Sequence, residues 1–237
     1  MNVMNYSPNN SKNKMCFSCK EKCDGFKELD YTELRLTSEN KVYLHFRKGE
    51  TIAKQGAFVT HILYLQSGMV KVYKEIDYKT NLIYDIFSSG KLLGLSSLFH
   101  SNQYQYSISA IEESDICAID KKTIEKLVKN NGDFAAELMK SINADLYNNR
   151  EKTVSLTVKQ LYGRLADTLL YLSDDVYHHE EFELNLSRKE LADLSGMSTM
   201  SVVRTLQDFI KEGFIENHDH TITIKNKKGL ATLSVNG

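Results

Sequence analysis

Ser187-Arg188-Lys189-Glu190-Leu191-Ala192-Asp193-Leu194-Ser195-Gly196-Met197-Ser198-Thr199-Met200 is the stretch on which the reading of this chain turns. Ser187 and Glu190 have the spacing of a capping box, in which the serine hydroxyl accepts the backbone N–H three residues on and the carboxylate reaches back to the serine N–H. A helix is therefore predicted from Arg188, with Leu191, Ala192 and Leu194 on one face. It stops where Gly196 can supply a positive φ. Ser198 or Thr199 caps a second helix, with Val202, Val203, Leu206, Phe209 and Ile210 inward, ended by Gly213. Two short helices joined by a glycine-containing turn make a helix-turn-helix.

Beyond it, Phe214-Ile215 and Thr221-Ile222-Thr223-Ile224 read as strands joined across Asn217-His218-Asp219-His220, a β-hairpin wing. A winged helix-turn-helix reads double-stranded DNA, since its exposed second helix fits the major groove while the wing lies near the backbone. Arg204 is the side chain best equipped for two hydrogen bonds to a guanine, and Ser198, Thr199, Ser201 and Arg188 suit phosphate or minor base contacts. Four basic and four acidic residues between Ser187 and Gly213 mean that this is no basic patch. The alternative is a helical hairpin that touches only protein.

Upstream the texture changes twice. Val42-Tyr43-Leu44-His45-Phe46, Ile62-Leu63-Tyr64-Leu65, Met69-Val70-Lys71-Val72-Tyr73 and Asp115-Ile116-Cys117-Ala118-Ile119 are rich in β-branched and aromatic residues and punctuated by glycines, so residues 40–120 are expected to hold an antiparallel β unit. After Asp120 the period becomes helical. Ile124, Leu127 and Val128 mark a short helix, Asn130-Asn131-Gly132 a break, and 133–153 a long helix carrying Phe134, Leu138, Ile142 and Leu146 in one narrow stripe. A seam so narrow suits a two-stranded coiled coil, with Asn149 as its polar register residue, and predicts a homodimer; packing on the β unit is the alternative. Leu161, Leu165, Leu169, Leu170 and Leu172 mark a further helix. The fold class is thus α+β: an N-terminal antiparallel, jelly-roll-like β-roll, a long dimerisation helix and a C-terminal winged helix-turn-helix. The expected domains are a mobile tail with clustered cysteines over 1–30, the β-roll over 31–120, hinge and dimerisation helix over 121–154, and the winged helix over 155–237.

A length of 237 residues suits two domains or one large one, and 41% hydrophobic with 26% charged residues excludes collagen-like and wholly disordered classes. Thirty basic against 31 acidic side chains leave the net charge uninformative. No apolar run approaches membrane-spanning length and the first fifteen residues lack a signal-peptide core, so no membrane partner and a cytoplasmic location are expected. The four cysteines, Cys16, Cys19, Cys23 and Cys117, then read as thiols or metal ligands rather than a disulfide framework.

The order β unit, long helix, winged helix-turn-helix resembles the Crp/Fnr family of bacterial transcription regulators from about Leu36 onward. Lys48-Gly49-Glu50, Gly56, Leu63 to Val72, Gly90 with Gly94, and Leu186 to Ala192 sit where the family pattern has their counterparts. The resemblance implies a homodimer whose β domains sense a signal and whose recognition helices read a near-palindromic site, usually beside RNA polymerase. In the cyclic-AMP-binding branch the phosphate loop supplies a glutamate and an arginine; the matching positions here are Gly94-Leu95 and Tyr104-Gln105. Cyclic AMP is accordingly not expected, although Gly94, Leu95, Ser96, Ser97, Tyr104, Gln105, Tyr106 and Ser107 could line a pocket for another effector or simply fill the β domain. Where the oxygen-sensing branch reads DNA with Glu and Ser-Arg, this chain has Met200 and Val203-Arg204: the guanine reader stays, and an apolar contact to a thymine methyl replaces the carboxylate. That branch also holds an iron-sulfur cluster on four cysteines, the last matching Cys117. Here Cys16-x2-Cys19-x3-Cys23 is tighter, so a [4Fe-4S] cluster, tetrahedral zinc and non-liganding thiols all stay open. A thiol or metal redox enzyme is a remote alternative, lacking the βαβ pattern of a thioredoxin-like fold.

Overall fold

A computed structural model describes residues 16, 19, 24–77, 80–99 and 101–236. In chain order the elements are α1 (Asp24–Lys27), α2 (Tyr31–Glu39), β1 (Lys41–Phe46), β2 (Thr51–Ala53), β3 (His61–Ser67), β4 (Met69–Glu75), β5 (Asn81–Ser88), β6 (Leu92–Leu93), β7 (Ser107–Ala110), β8 (Ser114–Asp120), α3 (Lys121–Asn130), α4 (Gly132–Val158), α5 (Leu161–Tyr171), β9 (Glu181–Glu183), α6 (Arg188–Ser195), α7 (Thr199–Lys211), β10 (Ile215–His218), β11 (Thr221–Ile224) and α8 (Lys227–Asn236). They form two compact units, residues 1–70 with 88–144 and residues 71–87 with 145–237. Of the tail expected over 1–30, residues 1–15, 17, 18 and 20–23 lie outside the described residues, and 24–27 form α1.

The first unit is built on an antiparallel sheet in the order β1-β8-β3-β6. Its central strand β8 buries Ile116, Cys117, Ala118 and Ile119 in a row, the texture of a strand covered on both faces. The β3–β4 turn depends on Gly68, at φ +89°, where a Cβ would stand 2.3 Å from the Glu113 carbonyl oxygen. No other residue fits there. A second pair joins β2 to β7. Ahead of the strands, residues 31–39 at the opening of the expected β-roll domain are helical: Asp30 and Glu33 form a capping box that starts α2. Helix α3 starts on an Asp120 cap and buries Ile124 and Leu127. Asn131 then joins α3 to α4, its backbone N–H bonding to Leu127 and its side-chain oxygen accepting from Phe134 N at 2.9 Å.

Phe134 and Leu138, expected in a dimer seam, are buried within the chain at 0% and 5% exposure. Phe134 packs on Phe26, ring centroids 5.7 Å apart, and Phe26 meets the Tyr64 edge at 6.2 Å. The expectation that this stripe lacks a partner inside the chain is corrected for those two residues. The physical reason is helical pitch: at 3.6 residues per turn, steps of four drift about 40° each, so a row of four such positions wraps about a third of the way round the helix. Phe134 and Leu138 face inward, whereas Ile142 and Leu146 are exposed together with Met139. Asn149 spends its amide on its own helix, donating to the Asp145 carbonyl.

The second unit holds most of β4, all but the last residue of β5, the later turns of α4, and the elements from α5 on. Leu165, Leu169, Leu191, Val202, Phe209, Ile215 and Leu230, all fully buried, make its core. The wing has the expected antiparallel register, Ile215 opposite Ile224 and His218 opposite Thr221. A third strand, β9, extends it in the order β10-β11-β9. That strand lies among the polar residues that follow α5; its anchor Phe182 is buried and stacked on Tyr177 at 4.6 Å.

Candidate nucleic-acid interface

Helix α6 begins as its sequence dictates. Ser187 Oγ accepts from Glu190 N at 3.2 Å, and Glu190 Oε2 accepts from Ser187 N at 2.8 Å. At its far end Gly196 adopts φ +62°, and a Cβ there would stand 2.7 Å from Leu156 Cδ2, so the turn is fitted closely against the end of α4. Ser198, rather than Thr199, caps α7: its Oγ accepts from Ser201 N at 3.0 Å. Val202, Thr205, Leu206 and Phe209 form the buried face of α7. Of the residues expected inward, Val203 is half-buried and Ile210 is exposed at 40%.

The opposite face of α7 is free. Met200, 79% exposed, leads a line with Arg204 and Gln207, both exposed, while Val203 borders it and Thr199 and Ser198 stand at the helix start. Gln207 escaped the sequence reading although arithmetic could have found it: positions i, i+4 and i+7 share a helix face. A glutamine amide is suited to two hydrogen bonds with an adenine edge, as the Arg204 guanidinium is with guanine. Arg188 stands apart from this line. Its guanidinium donates to the Asn217 amide oxygen at 3.2 Å once that amide is oriented to satisfy its neighbours, so Arg188 ties α6 to the wing. Tyr162 donates to Asp208 Oδ2 at 2.6 Å and packs edge-on against Phe209, which holds the inner side of α7. Burial raises the Glu190 pKa, but hydrogen bonds from Lys71 and Ser187 outweigh it and hold the carboxyl below its ordinary value.

In the first unit, the residues from Gly94 to Ser107 that were read as effector-pocket candidates are partly buried and partly exposed. Gly94 adopts φ +90°, and a Cβ there would stand 3.4 Å from the Tyr104 ring. Tyr104 is buried and donates to the His61 carbonyl at 3.1 Å; its burial, with Tyr106 close by, pushes its phenol above the ordinary value. Leu95 and Ser97 are buried, and Ser97 donates to the Gln103 carbonyl. Ser107 accepts from Gln55 N, Ser96 donates to the Tyr106 hydroxyl, and the Gln105 amide donates to Ser101 and Gln103.

Cys16, Cys19 and Cys117 line one cavity of about 30 Å³ beside Phe26, Lys41, Tyr43 and Tyr64. Cys117 sits between Tyr43 on β1 and Tyr64 on β3, and burial pushes its thiol up to about 12 against the pull of Lys41. Lys41 Nζ donates to Cys16 Sγ at 3.1 Å and to the Tyr43 hydroxyl at 2.9 Å. Cys23 lies outside the described residues. Among the described residues no three His, Cys, Asp or Glu side chains are grouped closely enough to hold one ion, so by themselves they do not make a metal centre.

Comparison with known proteins agrees with both halves of this description. Residues 43–131 match the family described as cyclic nucleotide-binding domain, and residues 163–233 match the Crp-like helix-turn-helix domain. The transcriptional activator protein FnrA of Stutzerimonas stutzeri is 23% identical over 192 residues, covering 79% of this chain and 78% of that protein. FixK2 from Bradyrhizobium japonicum superposes with a TM-score of 0.75 at 20% identity, over 81% of this chain and 96% of that one. A CRP/FNR-family transcriptional regulator from Thermus thermophilus gives 0.67 at 21%, over 82% and 98%. With a β-rich domain of the cyclic-nucleotide-binding type, a long helix and a Crp-like helix-turn-helix in that order, the chain belongs to the Crp/Fnr family of DNA-binding transcription regulators.

Proposed function

We propose that the chain works as a homodimer whose two α7 helices read the halves of a near-palindromic duplex, Arg204 on a guanine, Gln207 on an adenine edge and Met200 on a thymine methyl. The observation that carries this reading is the exposed Met200-Arg204-Gln207 line on a helix otherwise anchored by its buried face. The exposed Met139, Ile142 and Leu146 on α4 support a second copy as the partner there. Work in the cytoplasm beside RNA polymerase follows from the family. The test is selection of duplexes from a random pool. The recovered sites should be two-fold symmetric with half-sites one helical turn apart, and Leu146→Glu should leave monomers that fail to retain them. Asymmetric sites, or a Leu146→Glu protein still dimeric by light scattering, would sink the reading.

The signal is not cyclic AMP in this proposal, because Tyr104 and Leu95 stand where that nucleotide's arginine and glutamate partners would be needed. Calorimetry with cyclic AMP should show no micromolar binding. A thiol-borne signal is favoured by one observation, the convergence of Cys16, Cys19 and Cys117 on a single cavity. Iron and sulfide in brown, anaerobically purified protein would assign it to a cluster, zinc in colourless protein to a structural metal, and neither to the thiols themselves.

A further inference from the structure

We propose that Arg188 is a positioning residue for the wing and not a phosphate contact: its guanidinium holds the Asn217 amide, so that α6 and the β10–β11 hairpin meet DNA as one piece. The groups involved all lie between residues 188 and 225, inside one compact unit. The inference rests on the chain's reading of DNA.

The composition of the wing gives it little grip of its own on a phosphate backbone. Between Phe214 and Ile224 there is no lysine or arginine, while Glu216 and Asp219 are both exposed. Affinity for the backbone comes from cations, each of which releases counter-ions on binding. Lys225, the next cation along the chain, pairs with Glu216 at 3.4 Å, so its charge is answered by the hairpin's own carboxylate. His218 and His220 are exposed as well, and a neutral imidazole offers a donor without a charge. A hairpin built this way is held beside a duplex by what fastens it to the helices.

That fastening is one side-chain amide. Alternation along β10 puts Asn217 on the same face as Ile215, which is fully buried, so Asn217 continues the inward face toward the turn where the apolar residues stop. Its oxygen accepts from the Arg188 guanidinium at 3.2 Å, and its nitrogen donates to the Thr221 carbonyl at 3.3 Å. Arg188 is the first residue of α6 and Thr221 the first of β11, so the amide joins the helix to both strands of the hairpin. Arg188 and Asn217 are both half-buried. Moving the guanidinium to a phosphate would break a charge-assisted bond and leave the amide oxygen to water, which favours keeping Arg188 on the wing.

Nuclear magnetic resonance and equilibrium DNA binding on the full chain test this with Arg188→Ala, Asn217→Ala and the double variant. Without DNA, Arg188→Ala should shift the Asn217 side-chain amide resonances and leave those of Asn149, on α4, where they are. On a selected duplex each single variant should bind roughly tenfold more weakly, and the double variant no more weakly than either, because one shared contact is lost only once. The slope of log affinity against log salt should keep its wild-type value in all three. A phosphate contact predicts another pattern: Arg188→Ala alone weakens binding, and the slope becomes shallower by about one for each Arg188 on the duplex. That pattern, additive losses in the double variant, full affinity in both single variants, or an Asn217 amide that ignores Arg188→Ala would overturn the proposal. If the wild type retains no duplex, the DNA reading fails instead, and the Asn217 resonances still judge the brace.

Discussion

Helix α7 and the loop from Gly94 to Ser107 are both rich in hydroxyls and long side chains, yet they spend them in opposite ways. On α7, Met200, Arg204 and Gln207 stand in water above a buried apolar face. In the loop, Leu95, Ser97 and Tyr104 turn inward, and Tyr104 and Ser97 bond to main-chain carbonyls. An exposed set of donors gives up only hydration when it meets a partner, whereas an interior set that already bonds to its own backbone resists replacement. The two stretches thus differ in what they expose: side chains along one face of α7, and in the loop a mixture of inward groups bonded to main chain and outward ones.

The widest gap between the two regions should appear on truncation. Tyr104→Ala removes a buried ring and should cost about 3 to 5 kcal/mol of stability by urea unfolding. If the loss is below about 1 kcal/mol, Tyr104 is not filling the interior and the contrast fails. Arg204→Ala should leave stability alone but cost about 1 to 3 kcal/mol at a selected duplex and little on unrelated DNA. Equal losses on both DNAs would move Arg204 from a base to a phosphate. Gln207→Ala should cost about 1 kcal/mol at the same duplex and relax preference at one base pair only; an unchanged preference there removes Gln207 from the reading line.

The smallest effect is electrostatic. Glu190 has its pKa lowered in the fold, so it contributes stability that is fully present above its unfolded value and is lost as pH falls through the lower folded value. The acid-side loss should shrink in Lys71→Met by about 1 kcal/mol or less, seen as a difference between the two proteins' stability–pH curves. Identical curves would mean that Lys71 does not stabilise the carboxylate.

What was legible in the sequence was local. Ser187 with Glu190, Gly196 and Ser198 are start and stop signals read over a few residues, and each performs the role its spacing dictates. Asp30 with Glu33 carries the same signature and could have announced α2. Strand β9 was hidden because a single buried residue, Phe182, anchors it among polar neighbours, too few for an alternating pattern. The inward turn of Phe134 depended on Phe26, more than a hundred residues upstream, and no periodicity within α4 reports that. Likewise Lys71 and Glu190 are unremarkable until the fold brings them together.

Glu190 sets a limit on modularity. Because one oxygen starts α6 and the other holds Lys71, the helix-turn-helix cannot be transplanted onto a different sensor as a cassette beginning at Ser187. A chimera that lacks the lysine would keep a well-capped helix and inherit a half-buried carboxylate without its counter-ion. Glutamine at that position retains an oxygen for the cap and drops the charge, so a graft of this reader should start from that substitution or bring the strand that carries Lys71 with it.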